Sequence, residues 1–255
     1  MSDAARQKAR IYLHRGDLAQ ARFWYEQAVN EERETQDAHL TESLGNLGNV
    51  YAMMGSVTEA ERCYRELLQL QREHQDPVAI GQTLVNLGNL HAEAGRPAQA
   101  KPYYLEALDL LEDAQDLRTL GILYSNLALQ NVTEGRSDDA LGQFQKALAA
   151  HRAVGDEEGL AVTYSQLGKT LLDTGQSQQA ERCLNNASEH FVKLGNTAGE
   201  AAVLRLLADL YEQQADGMAA VRCLERVLTI TSRSGCQEPK DLDRLTRLRA
   251  LERNR

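Results

Sequence analysis

Apolar residues recur at helical spacing along most of the chain, in paired segments separated by a glycine. In residues 41–80, the first segment places apolar or small residues at i, i+3, i+4 and i+7: Leu44, Leu47, Gly48 and Tyr51. The second segment carries a similar stripe: Ala60, Tyr64, Leu67 and Leu68. Such a stripe is typical of a helix with one buried face. The pattern predicts a helical hairpin, with helix A before Gly55 and helix B from Glu59 to near His74.

The residues between these segments fit helix boundaries. Gly55 interrupts helix A, and the hydroxyl residues Ser56 and Thr58 then offer an N-cap for helix B. Gln75 and Asp76 follow helix B, and the Asp76 side chain can cap the next helix A. We therefore expect tight turns at both ends of helix B.

The hairpin recurs every 40 residues. Turn glycines and helix-B alanines keep this step: Gly55, Gly95, Gly135 and Gly175, and Ala60, Ala100, Ala140, Ala180 and Ala220. A shift of 39 residues reaches back to Gly16 and Ala21. Self-similarity at a fixed period predicts stacked repeats that bury their apolar faces against one another. We expect one array over residues 1–235, divided as 1–40, 41–80, 81–120, 121–160, 161–200 and 201–235.

Residues 236–255 fall outside the repeat. After Pro239, leucines stand at every third position: Leu242, Leu245, Leu248 and Leu251. We expect a helix that caps the last apolar face of the array. A basic tail that docks on a partner or on acidic lipid is the alternative, but carboxylates on the same segment weaken it.

The repeat resembles the tetratricopeptide (TPR) repeat. The residues that carry the resemblance are Leu44, Leu47, Gly48, Tyr51, Ala60, Tyr64 and Leu67, with Leu84, Leu87, Gly88, Ala100, Tyr104 and Ala107, and then Tyr164, Leu167, Gly168, Leu171 and Ala180. The period of 40 is similar to that of kinesin light chains and Pins-type adaptors. The resemblance implies an all-α, right-handed TPR solenoid whose A helices line an inner groove.

Composition narrows the function. The net charge of −9 argues against a duplex-binding surface, because nucleic-acid affinity depends on clustered Lys and Arg. No segment is apolar enough for a signal peptide or a membrane span, so we expect a cytoplasmic protein without membrane insertion. Cys63, Cys183 and Cys223 occupy one slot of three repeats, which favours a packing role over a metal or redox role. We expect no metal and no cofactor.

Catalytic signatures are missing from the sequence. The six histidines are scattered, and His91 stands in a slot that another repeat fills with Tyr51, which favours a core side chain. Rap-type bacterial phosphatases join a TPR array to an N-terminal catalytic bundle. Because repeats begin near residue 1 here, we expect no such bundle and no enzymatic activity.

The resemblance places groove-facing residues at set positions of helix A. Amides recur at one of them: Asn46, Asn86, Asn126 and Gln166. A second position holds Arg10, Asn49, Asn89 and Lys169, and a third holds Arg6 and Arg205. Carboxamides donate and accept hydrogen bonds, so this ladder predicts a clamp for the backbone of an extended peptide. The alternative is that the amides bond neighbouring helices or face water.

Three functions remain open. The leading one is an adaptor whose groove binds an extended or short helical segment of a protein or peptide partner. A self-assembling structural protein, forming a homo-oligomer, is the second, and a peptide-sensing regulatory module is the third. Binding of chaperone tails is disfavoured, because its five carboxylate-binding positions hold only two cations and one required amide: Arg6, Arg10, Asn46, Gln82 and Asn86.

Overall fold

The computed structural model describes residues 2–234 and 238–253, and within these ranges it contains thirteen helices and no strand. Odd-numbered helices up to α11 are A helices, and even-numbered ones are B helices. Their bounds are α1 (Ser2–His14), α2 (Leu18–Thr35), α3 (Leu40–Met53), α4 (Val57–His74), α5 (Pro77–Glu93), α6 (Pro97–Ala114), α7 (Leu117–Thr133), α8 (Ser137–Ala153), α9 (Glu157–Asp173), α10 (Ser177–Leu194), α11 (Thr197–Gln213), α12 (Gly217–Ser234) and α13 (Pro239–Arg253). The predicted all-α array of six hairpins and a terminal helix is confirmed.

The chain forms two compact units, which we describe separately. The N-terminal unit covers residues 1–123 and the C-terminal unit covers residues 124–255. In both units the predicted helix-B alanines are fully buried: Ala21, Ala60 and Ala100 in the first, and Ala140, Ala180 and Ala220 in the second. A small side chain at this slot lets the two helices of a hairpin approach closely.

The turns between helices A and B form at the predicted glycines. Gly16, Gly55, Gly95, Gly135 and Gly175 all have φ between 72° and 77°, which is a left-handed conformation. This conformation costs a glycine little, because it has no Cβ. The repeating glycine therefore marks a backbone requirement.

The predicted N-cap of α5 forms, but the predicted N-cap of α4 does not. Asp76 accepts hydrogen bonds from the backbone N–H groups of Val78 and Ala79, both at 3.1 Å. Ser56 occupies the N-cap position of α4, yet its hydroxyl makes no capping bond, so that prediction is wrong. The helix begins at Val57, two residues before the predicted Glu59.

The terminal helix α13 covers the end of the C-terminal unit with only half of its leucines. Leu245 and Leu248 are buried against a cluster that includes Ala208 and Leu224, whereas Leu242 and Leu251 are 56% and 55% exposed. A step of three residues falls about 60° short of a full helical turn, so the outer leucines of the four lie on opposite sides of the helix. One face cannot bury all four.

Candidate peptide-binding face

Each A helix of the N-terminal unit carries an exposed stripe beside its buried one. In α3 the buried residues include Leu44, Leu47 and Tyr51. The stripe positions run at i, i+4, i+7 and i+11, and the second is half-buried while the others are exposed: Glu42, Asn46, Asn49 and Met53. In α5 the same positions hold Gln82, Asn86, Asn89 and Glu93, of which the two asparagines are half-buried and the others exposed. We call this set of positions the A-helix stripe.

The same positions of the A helices in the C-terminal unit carry different side chains. Asn126 and Gln166 fill the half-buried second position in α7 and α9. The third position holds Leu129, Lys169 and Asp209, of which Lys169 is exposed. The Gln166 side-chain oxygen is shielded from solvent and accepts no hydrogen bond within the described part of the chain. The two units thus share amides at the second stripe position and differ at the third.

Two asparagines of the N-terminal stripe are bonded to the B helix of their own hairpin. The Tyr64 hydroxyl donates to Asn49 Oδ1 at 2.7 Å, and the Tyr104 hydroxyl donates to Asn89 Oδ1 at 2.8 Å. The side-chain oxygens of these two amides are therefore engaged within the protein. Sequence reasoning missed both bonds, although glycine, tyrosine and asparagine recur together in these hairpins.

Glycine makes this crossing of the two helices possible. A Cβ added at Gly48 would lie 2.6 Å from Tyr64 Cε1, and one at Gly88 would lie 2.3 Å from Tyr104 Cε1. Any larger residue would collide with the ring. The tyrosine ring consequently passes under helix A, and its hydroxyl reaches the residue that follows the glycine.

Arg6 and Arg205, which share one slot of the repeat, are both engaged in ion pairs. Arg6 lies 3.2 Å from Glu42 in α3 and 3.2 Å from the fully buried Glu32, and its side chain is only 12% exposed. Burial raises the pKa of Glu32, an effect that the nearby Ser43 side chain and the charge of Arg6 oppose. Arg10, in contrast, is exposed on the stripe of α1.

Arg205 has the same arrangement at the other end of the array. Its guanidinium binds both oxygens of Asp241 in α13, at 2.7 and 3.1 Å, and also approaches Glu238. Arg244 of α13 reaches back to Asp209 at 2.6 Å. Arg205 therefore links consecutive odd-numbered helices, and the repeat pattern could not reveal this because α13 lies outside the period.

His91 has the core position expected from its slot. The ring is 4% exposed, stacks on Tyr103 with centroids 5.5 Å apart, and places Nε2 3.8 Å from Glu61. Cys63 is also buried, and burial raises the pKa of its thiol to about 11. Among the described residues, no three His, Cys, Asp or Glu side chains are grouped as a metal would need.

A cleft of about 640 Å³ in the N-terminal unit was not foreseen from the sequence. It lies between α4 and α6 over the floor formed by Leu84 and Leu87 of α5. Arg72 of α4 bonds to Glu106 of α6 at 2.7 Å on its rim. The residues predicted for the groove all lie on A helices, whereas the walls of this cleft are B helices.

No described helix has both the length and the apolar character needed to cross a bilayer. No curated protein sequence matches the chain. Solved structures match its fold at low sequence identity. BtubC (BKLC) from P. vanneervenii is 21% identical, with a TM-score of 0.75 over 87% of this chain and 94% of that one.

Two further structures are similar in fold. A candidate kinesin light chain of Podosopora anserina, with nearly identical TPR-like repeats, is 17% identical, with a TM-score of 0.61 over 78% of this chain and 99% of that one. Aspartyl phosphate phosphatase F from Bacillus subtilis is 16% identical, with a TM-score of 0.68 over 90% of this chain. The match spans only 59% of the phosphatase.

Family models give the identification. Models described as tetratricopeptide repeat match residues 7–35, 39–113, 119–191 and 159–233. These matches cover most of the chain and coincide with the helical hairpins of the structure. The resemblance seen in the sequence is confirmed, and the chain belongs to the tetratricopeptide repeat family.

Proposed function

We propose that this chain is a non-enzymatic protein-interaction scaffold whose A-helix stripes bind an extended or short helical peptide segment. Tetratricopeptide arrays are generally interaction folds, and the chain has that fold. One observation carries the finer proposal. The second stripe position holds a half-buried carboxamide in four consecutive A helices: Asn46, Asn86, Asn126 and Gln166.

Helix stability does not explain this recurrence. Asparagine is a mediocre helix former, because its side chain competes for nearby backbone groups. A carboxamide can instead donate to a peptide carbonyl and accept from a peptide N–H, whatever the peptide's side chains are. Within one unit, neighbouring A helices about 10 Å apart would meet roughly every third residue of an extended peptide.

The proposed set of binding residues leaves out two of those predicted from the sequence. Arg6 and Arg205 are engaged in ion pairs, so the proposal does not use them. In the N-terminal unit the proposed binding residues are Arg10, Asn46, Asn49, Asn86 and Asn89, and in the C-terminal unit they are Asn126, Gln166 and Lys169. A ligand rich in accessible backbone, with mixed side-chain charge, fits each of these two surfaces best.

The test begins with a defined probe. Random dodecapeptides displayed on phage are selected on the wild-type protein, and the tightest one is titrated calorimetrically. The triple variant Asn46→Ala, Asn86→Ala, Asn126→Ala should keep its fold, because no fully buried side chain is removed. Each lost hydrogen bond contributes about 0.5–1.5 kcal/mol, so affinity should fall roughly tenfold to a thousandfold if the losses add.

Circular dichroism separates binding from folding in this test. If the triple variant melts like the wild type and binds the selected peptide equally well, the proposed backbone clamp is wrong. If the variant fails to fold, the asparagines have a structural role instead.

Self-association is a second candidate, favoured by the exposed Leu242 and Leu251 on α13. Exposed leucines on a terminal helix can pack against a second copy. Light scattering over a range of protein concentrations tests this. A mass that rises with concentration in the wild type, but not in a Leu242→Ser, Leu251→Ser variant, would support it.

A further inference from the structure

Three positions of the repeat vary together along the chain: those equivalent to Gly48, Asn49 and Tyr64. Asparagine follows the glycine only where the B helix supplies tyrosine, in the hairpins of Tyr64 and Tyr104. The remaining hairpins lack the glycine, the tyrosine or both. Their residues in the same three slots are Ala9, Arg10 and Tyr25; Ala128, Leu129 and Phe144; Gly168, Lys169 and Leu184; and Ala208, Asp209 and Leu224.

Packing explains how the three residues act together in the hairpins of Tyr64 and Tyr104. The close approach at Gly48 lets the Tyr64 ring pass under α3, although the ring is only 2% exposed. The hydroxyl then emerges at Asn49, which is exposed to solvent. Phenylalanine or leucine in the tyrosine slot would fill the core equally but would bring no hydroxyl to the stripe.

The direction of the bond determines what the amide offers. The hydroxyl donates and Asn49 Oδ1 accepts, so the oxygen is engaged inside the protein. The other half of the carboxamide is an NH2 group with two donors and no acceptor. Burial is the main cause that raises the pKa of both Tyr64 and Tyr104, which keeps the two hydroxyls protonated.

We propose that Tyr64 is a positioning residue that turns the carboxamide of Asn49 so that this hairpin of the N-terminal unit recognises hydrogen-bond acceptors. The recognised groups are the backbone carbonyls of an extended peptide. This inference rests on the proposed function and goes further, because it assigns the polarity of the interaction in one unit. The third stripe position of the C-terminal unit lacks this device.

The experiment uses the full chain and the selected dodecapeptide as its probe. Tyr64→Phe keeps the ring and removes the hydroxyl. Affinity should fall about two- to fivefold, since one oriented neutral hydrogen bond is weakened rather than deleted. Tyr211→Phe is the control: it removes a hydroxyl that donates to Glu181, neither residue belongs to the A-helix stripe, and affinity should stay unchanged.

A second variant tests the polarity itself. Asn49→Asp keeps an acceptor for the Tyr64 hydroxyl and replaces the NH2 group by oxygen. Affinity should fall at least as far as in the phenylalanine variant, while the thermal midpoint stays near that of the wild type. Wild-type affinity in this aspartate variant would overturn the donor assignment.

The outcomes distinguish the two proposals. Loss of binding in the Asn46, Asn86, Asn126 alanine variant, with wild-type affinity in both the phenylalanine and aspartate variants, keeps the clamp and overturns the positioning role. If the phenylalanine variant has a lower thermal midpoint but binds the peptide as tightly as the wild type, the role of Tyr64 is structural only. Equal binding by every variant would remove the clamp and the positioning role together.

Discussion

The N-terminal and C-terminal units build one hairpin with different residues at the end of helix B. The N-terminal unit ends its B helices with glutamines in the left-handed conformation: Gln36, Gln75 and Gln115, with φ of 53°, 55° and 56°. The C-terminal unit uses Gly155 and Gly195 there, with φ of 65° and 67°. Non-glycine residues are strained in this region, so the N-terminal unit holds a less favourable backbone at the same turn.

The units also differ where helices A and B cross. Gly48 and Gly88 admit tyrosine rings in the N-terminal unit, whereas Ala128 and Ala208 of the C-terminal unit share core clusters with Phe144 and Leu224. Both combinations bury the slot completely or nearly so. Core packing is thus satisfied in more than one way, and the combination of glycine with tyrosine brings a hydroxyl to an asparagine of the stripe. The same fold can therefore be kept while the chemistry of its surface changes.

The largest expected effect concerns the alanine slot that both units share. Ala140 is fully buried, so Ala140→Leu should lower the free energy of unfolding by about 1–3 kcal/mol through overpacking. Ala60→Leu in the N-terminal unit should lower it similarly. Chemical denaturation of both variants measures this. A loss in only one of them would mean that the two units do not share the close helix contact.

The glycine position at which helices A and B cross should lose stability when a single methyl group is added. Gly88→Ala places Cβ against the Tyr104 ring, and we expect a net loss of about 1–2 kcal/mol after the gain in helix propensity. Adding Tyr104→Leu copies the Ala208 and Leu224 combination and should recover part of the loss. Thermal melts followed by circular dichroism decide this, and a single variant as stable as the wild type would contradict the tight crossing.

The smallest expected effect exchanges the caps of helix B. Gly195→Gln gives the C-terminal unit the residue type of the N-terminal unit and should destabilise it by about 0.5–1 kcal/mol. The reverse change, Gln75→Gly, should be neutral or stabilising by a few tenths of a kcal/mol, since glycine relieves the strain but adds unfolded-state entropy. Denaturant midpoints compare the two. A stabilising Gly195→Gln would show that the left-handed glutamines are not strained.

The periodic features of the fold could be predicted because each depends on local spacing. Helices, turns and the buried alanines follow from the period of 40 and from the positions of Gly55 and Ala60. The second stripe position was likewise predicted to be accessible, and Asn46 and Asn86 are half-buried there. Their binding role stays a prediction.

The remaining features depend on contacts that no single repeat contains. Arg205 meets Asp241 of α13, a helix with no counterpart in the period. Ser56 has the right side chain for a cap, but a cap also needs a turn that aims the hydroxyl, which residue type does not specify. The bond between Tyr64 and Asn49 required relating two helices at once, and only the joint occurrence of glycine, tyrosine and asparagine signalled it.

Cysteines occupy one slot of three repeats, and the buried one among them is a natural reporter of local opening. Burial raises the thiol pKa of Cys63 to about 11 and also raises the pKa values of Cys183 and Cys223, so little thiolate exists at neutral pH in the closed hairpins. Cys63 is buried, so its alkylation follows how often its own hairpin opens, whereas the half-buried Cys183 and Cys223 are partly accessible in the closed state. The alkylation rate of Cys63 therefore reports the local stability of its hairpin, and no new cysteine has to be introduced.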